Sequence, residues 1–68
     1  MKIKYFSDTD TAYIEFTDNE VYETKEINEN IYVDLDKNGD VVSMTIEHAK
    51  RSSGISEFSY QEIPRRIA

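Results

Sequence analysis

Residues 31–46 constrain the fold most tightly, because the turn, the register and the buried face of a β-hairpin can be checked against one another there. Asn38-Gly39 is a strong hairpin signal: a two-residue type I′ turn needs positive φ at both central positions, which Asn and Gly accept most cheaply. That turn sets Lys37 opposite Asp40. It then predicts Leu35 opposite Val42, Val33 opposite Met44 and Ile31 opposite Ile46 on one face, with Asp36/Val41, Asp34/Ser43 and Tyr32/Thr45 on the other. The apolar residues coincide across the two strands. A three-residue loop would instead set Leu35 against Val41 and Val33 against Ser43, moving apolar side chains to the wrong side. A half-buried antiparallel sheet is the expectation.

The remaining strands follow from alternation and turn chemistry. Lys2 to Phe6 reads as a first strand with Ile3 and Tyr5 inward, and Ser7-Asp8-Thr9-Asp10-Thr11 as a loop whose side chains bond their own backbone. Ala12 to Thr17 reads as a second strand with Ala12, Ile14 and Phe16 on one face. Asp18-Asn19 then predicts a hairpin that pairs Phe16 with Val21 and Ile14 with Glu23. The third strand, about Val21 to Ile27, places Glu23 and Lys25 on the inward side, which suits an edge strand defended by charge. Asn28-Glu29-Asn30 leads into the fourth strand. The predicted class is therefore mainly β, or small α+β: a five-strand antiparallel meander over 1–49 and a C-terminal segment over 50–68 that covers one face. In that segment Ser52-Ser53-Gly54 is a breaker. Ile55 and Phe58 fit one helical face with Ser53 as cap, whereas Phe58 and Tyr60 fit a strand, so both forms stay open.

A sheet presenting Ile3, Ile14, Phe16, Ile31, Val33, Leu35, Val42, Met44 and Ile46 on one face exposes more apolar surface than a soluble monomer tolerates. The cover must come from the tail, a second copy or another protein. At 68 residues, a single core is near the lower limit for independent folding. With no Cys, disulfides and thiolate sites are excluded. The N-terminus lacks the apolar run of a signal peptide or membrane helix, so a soluble cytoplasmic protein with no membrane association is expected. The net charge of −6 is uneven: residues 1–49 carry 4 Lys against 12 acidic residues, while 50–68 carry Lys50, Arg51, Arg65 and Arg66 against Glu57 and Glu62. An acidic sheet argues against nucleic-acid binding by phosphate neutralisation and suits attraction of a basic protein.

Candidate chemistry is sparse. Asp34-Leu35-Asp36-Lys37-Asn38-Gly39-Asp40 matches the start of a calcium-binding EF-hand loop, but the twelfth position, which needs a bidentate Glu, falls on Thr45. Asp34 and Asp36 share a sheet face and read as solvent-facing hairpin residues, since paired carboxylates need an apolar pocket to split their pKa values. His48 is in phase with Val42, Met44 and Ile46 and reads as an inward, hydrogen-bonded residue. An enzyme would have to assemble it with a carboxylate and one of Ser43, Ser52 or Ser53. No catalytic, cofactor or metal site is assigned. Tyr13, Tyr22 and Tyr32 fall opposite the apolar face, either through strand propensity or as a contact patch. With Ile55 and Phe58 they form the candidate interaction surface.

The segments Met1-Lys2-Ile3-Lys4-Tyr5, Asp10-Thr11-Ala12-Tyr13-Ile14, Glu23-Thr24-Lys25-Glu26, Ile31 to Val42 and Ile46-Glu47 together resemble the prokaryotic family called domain of unknown function 2283. The resemblance covers about residues 1–49. It implies no activity and no catalytic residues. Some relatives are encoded beside small toxin-like proteins, and the resemblance implies an antitoxin role on that association. The resulting expectation is a non-enzymatic interaction module binding a protein partner or a second copy. The alternative is a small metal-dependent or hydrolytic enzyme using Asp34, Asp36 and His48.

Overall fold

The computed structural model describes residues 1–65; Arg66, counted above among the basic residues of the tail, lies outside them. Five strands, β1 (Lys2–Phe6), β2 (Thr11–Glu15), β3 (Glu23–Asn28), β4 (Ile31–Leu35) and β5 (Val41–Glu47), precede one short helix, α1 (Ala49–Ser53). All neighbouring strands pair antiparallel. The mainly β sheet with a short C-terminal helix is the class expected from the sequence.

The order across the sheet is β1-β2-β5-β4-β3, so the strands do not follow one another sequentially. The hairpin expected at Asp18-Asn19 is absent: Ile14 pairs with Met44 on β5, not with Glu23, and Glu23 pairs with Leu35 on β4. The reason is burial. Sequential order would place β3, with Glu23 and Lys25, in the middle of the sheet. The observed Greek-key order brings apolar β2 beside apolar β5 and sends β3 to the edge, where all six of its residues are exposed. The β2–β3 connection crosses the end of the sheet and is pinned there. The Phe16 and Thr17 N–H groups both donate to the Val42 carbonyl, at 2.8 and 3.2 Å, and the Tyr22 N–H donates to the Leu35 carbonyl at 2.8 Å.

The β4–β5 turn is one residue longer than expected. Gly39 has φ 84°, whereas Asn38 does not take positive φ. The Gly39 N–H donates to the Asp36 carbonyl at 3.0 Å and the Asp36 N–H to the Asp40 carbonyl at 2.9 Å. This is a three-residue loop, a turn over Lys37-Asn38 followed by a left-handed glycine. Its register error is cancelled by a bulge. Leu35 faces Val41, Asp34 faces Ser43, and Val42 is the extra residue between them. Val33/Met44 and Ile31/Ile46 therefore pair as the sequence predicts, although Leu35/Val42 and Asp36/Val41 do not.

Among the described residues only Ala12, Val42, Ile46 and Ala49 are buried apolar ones, and the largest side chain below 2% exposure is that of Ser43. The fold is thus a single layer with α1 laid over one end. Ala49 joins Ala12 and Ile46 in the buried cluster, against which Tyr5, Ile14, Ile31, Met44 and Ile55 pack.

Gly39 carries the turn through backbone conformation alone, since an added Cβ would meet nothing within 4 Å. Gly39→Val should destabilise the domain by about 1–2 kcal/mol, because a β-branched residue is forced to positive φ. Gly39→Asn should cost distinctly less. Thermal melts of the two variants check the ordering, and equal melting temperatures would contradict the assignment.

Candidate functional site: two sheet faces and a latched helix

Each face is defined by rows that run across the five strands. On the apolar face the pairings give the row Ile3, Ile14, Met44, Val33, Lys25, and beside it Tyr5, Ala12, Ile46, Ile31. α1 and Ile55 cover the second row. The first is left open: Ile3 is 41% exposed, and Ile14, Met44 and Val33 are only half-buried.

On the opposite face the central row is Lys4, Tyr13, Thr45, Tyr32, Glu26. Tyr13 and Tyr32 therefore flank Thr45 and are half-buried, as expected of a shared face. Tyr32 reaches Glu26 at 3.5 Å. Burial, together with the negative charges of Glu47, Glu26 and Glu29, holds its hydroxyl pKa above the ordinary value. The other three residues of the candidate surface lie elsewhere. Tyr22 sits outside the strands at the β2–β3 corner, Ile55 packs on the apolar face, and Phe58 is on the exposed tail. The five residues form no single patch.

Of the two aspartates expected to face solvent, Asp36 is buried and Asp34, on β4, is half-buried. Asp36 is 7% exposed; its Oδ1 accepts the Asn38 and Asp40 N–H groups at 2.9 and 3.0 Å, and its Oδ2 accepts Asn19 Nδ2 at 3.2 Å. Those donors, the Asp40 N–H foremost, hold its pKa below the usual carboxylate value against the opposing effect of burial. Asp34 accepts the Ser43 hydroxyl at 2.5 Å and the Thr24 hydroxyl at 2.6 Å. The Asp36 bonds brace the three-residue loop from within, while those of Asp34 tie β4 to β5 and β3. A cleft of about 470 Å³ borders Asp36, Asn19, Tyr22 and Asn38, but the carboxylate facing it is already bonded on both oxygens.

His48 also departs from expectation. It is exposed, with φ 54°, because the chain leaves β5 through a left-handed residue to start α1. Its Nδ1 lies 3.0 Å from Asn30 Oδ1. Two of the three hydroxyls that might have joined it are engaged otherwise: Ser43 on Asp34, and Ser52 on the His48 carbonyl at 2.7 Å. Asp36 and His48 flank opposite ends of β5, about 20 Å apart at strand rise. Among the described residues no group of three or more His, Cys, Asp or Glu is placed to hold a metal ion.

The residue that sequence reasoning missed is Asp10. It sits in the β1–β2 turn with φ 55°, a conformation that Asp tolerates better than most residues. Its Oδ1 accepts the Tyr5 hydroxyl at 2.7 Å and the Lys50 N–H at 2.9 Å, its Oδ2 accepts the Arg51 N–H at 3.3 Å, and its carbonyl accepts the Ala49 N–H at 2.9 Å. One turn residue thus caps a helix forty positions away. Lys50 Nζ lies 5.0 Å above the Tyr5 ring, adding a cation–π contact to the same latch. At the far end of α1 the Gly54 N–H donates to Lys50 and the Ile55 N–H to Ala49, at 3.0 and 3.2 Å. This is an αL closure with Gly54 at φ 63°, and Ile55 beyond it packs back onto the sheet. No local signal marks Asp10, because its partners are remote in the chain.

The latch fixes two pKa directions. The Tyr5 hydroxyl, then the Lys50 N–H, hold Asp10 below its ordinary 3.8, while the bond to Asp10, then burial, hold Tyr5 above its ordinary 10.0. A carboxylate depressed on folding contributes stability above its unfolded pKa and loses it as pH falls through the folded value. A tyrosine raised on folding contributes below its unfolded pKa and loses it as pH rises through the folded one. The latch should therefore weaken as pH falls below 3.8, and it should lose its Tyr5–Asp10 bond as pH rises above 10.0. Asp10→Ala should detach α1 at neutral pH, read as faster exchange of the Lys50 and Arg51 amides, with Asp10→Asn intermediate. Unchanged exchange in Asp10→Ala would refute the latch.

Comparison with curated proteins and with solved structures finds no match. No helix among the described residues is long and apolar enough to cross a membrane. A family model, described as protein of unknown function (DUF2283), matches residues 2–50, which span the whole sheet and the start of α1. The chain belongs to the DUF2283 family of proteins of unknown function.

Proposed function

We propose that this domain is a non-enzymatic protein-interaction module of the cytoplasm, antitoxin-like in that it engages a basic protein. The observation that carries the reading is the open apolar row Ile3, Ile14, Met44, Val33 on a sheet whose buried strand side chains are few, with Ala12, Val42 and Ile46 the apolar ones among the described residues. Leaving a few hundred Å² of apolar surface in water forfeits several kcal/mol at about 25 cal/mol per Å². That is comparable to the stability of a domain this small. The acidic excess of residues 1–49 supports a basic partner, by steering its approach.

The alternative, a hydrolytic or metal-dependent enzyme built on Asp34, Asp36 and His48, draws no support from their geometry. Each is engaged in bonds that brace a turn or a strand end, and His48 stands at the opposite end of β5 from Asp36.

Co-expression with the product of the neighbouring gene tests the reading. A complex should form that weakens as salt rises and is lost in Val33→Lys, while Asp34→Asn and His48→Ala retain it. A biological activity abolished by His48→Ala in an otherwise folded chain, with Val33→Lys unaffected, would favour the enzyme instead.

A further inference from the structure

The face opposite the apolar rows sets two aromatic rings on either side of a small residue, with carboxylates beside them. Tyr13 on β2 and Tyr32 on β4 both pair with Thr45 on β5, and all three are half-buried. Strand side chains stand roughly perpendicular to the sheet and neighbouring strands lie about 4.8 Å apart, so a group seated over Thr45 is about that far from each tyrosine. A cation there is inside the ~6 Å reach of cation–π attraction to both rings. Glu47 lies two residues beyond Thr45 on the same face, and Glu26 faces Tyr32 from β3, 3.5 Å from its hydroxyl. We propose that Tyr13, Thr45 and Tyr32, with Glu47 and Glu26, form a docking site for an arginine side chain on a basic segment of a protein partner.

Charge complementarity argues for that occupant. The strand rows of this face carry Glu15, Glu26, Asp34 and Glu47 against Lys2 and Lys4. Both lysines are on β1, at the far edge from Glu26, and Lys25 of β3 belongs to the opposite face. The half of the face made by β5, β4 and β3 is therefore acidic in its strand rows. Beyond the effect of burial, the charges of Glu47, Glu26 and Glu29 are felt at the Tyr32 hydroxyl and help hold its pKa above the ordinary value. Asp34 is committed to the Ser43 and Thr24 hydroxyls, which leaves Glu47 and Glu26 to meet a cation. Arginine suits the place better than lysine, because its planar guanidinium stacks on an aromatic ring while its fork of N–H donors engages a carboxylate. A second copy of the chain, at −6, brings net charge of the wrong sign. α1 and Ile55 pack on the other face and do not obstruct the site. The proposal goes beyond the interaction-module reading and is independent of the apolar row.

The probe is a blocked hexapeptide alternating arginine and glycine, titrated into the full chain and followed by NMR shifts, with a lysine–glycine hexapeptide for comparison. The arginine peptide should shift Tyr13, Tyr32, Thr45 and Glu47, bind about three-fold or more tighter than the lysine peptide, and weaken as salt rises. Glu47→Gln and Tyr32→Leu should each weaken it several-fold. Glu20→Gln, which removes the same charge from the β2–β3 connection, and Ile3→Ser on the apolar face should leave it unchanged. Circular dichroism verifies that each variant is folded, and the near-isosteric Glu47→Gln decides the matter if Tyr32→Leu does not fold. No shift at millimolar peptide, equal binding of the two peptides, equal weakening by Glu20→Gln, or shifts spread over Asp8, Asp18 and Glu20 would each overturn the proposal. None of these outcomes touches the co-expression experiment, in which Val33→Lys reports on the apolar row.

Discussion

A single antiparallel layer with one apolar face is the constraint on which the rest of this molecule depends. The described residues include five of helix with which to cover five strands. That helix serves one end, over Ala12 and Ile46, and the row through Met44 receives only partial cover. The strand order responds to the same constraint. By placing β5 between β2 and β4, the fold gathers Ala12, Ile14, Val33, Met44 and Ile46 in the middle and leaves charged β3 outside.

What keeps the cover in place is polar and remote. Asp10 replaces the missing N-terminal cap of α1, since His48 at that position makes no side-chain cap bond. Gly54 closes the other end and aims Ile55 at the cluster. With so few buried apolar contacts, the capping bonds and the apolar packing of Ala49 and Ile55 act together, and removing either exposes the other to water. A helix this short does not persist on its own in water, so its presence reports the docking.

Much of the sheet is legible in the sequence, because period-two alternation is a local property. The first strand, the Val33/Met44 and Ile31/Ile46 pairs and the exposed edge at Glu23 and Lys25 all follow from it. Three features escape it for physical reasons. The turn at Gly39 and the bulge at Val42 each add one residue, and their shifts cancel, so the correct inner register is compatible with two different turns. The neighbour of β2 is decided by burial across the whole sheet and not by the Asp18-Asn19 signal beside it. Asp10 and His48 depend on the left-handed geometry of single residues, which places His48 on the surface despite its even phase with Ile46. The tyrosines divide likewise: Tyr13 and Tyr32 obey alternation, and Tyr22 lies beyond the strand that would have imposed it.

The central claim is that the row Ile14, Met44, Val33 is open in a single copy while Ala12 and Ile46 are closed. Its most direct test is attenuation of side-chain methyl signals by a soluble paramagnetic agent, measured on the full chain from dilute to concentrated solution. The account predicts that in dilute solution the methyls of Met44, Ile14 and Val33 are strongly attenuated and those of Ala12 and Ile46 are spared. Met44 and Val33 methyls as protected as that of Ile46 at the lowest concentration would contradict it, because the tail would then complete the core within one chain.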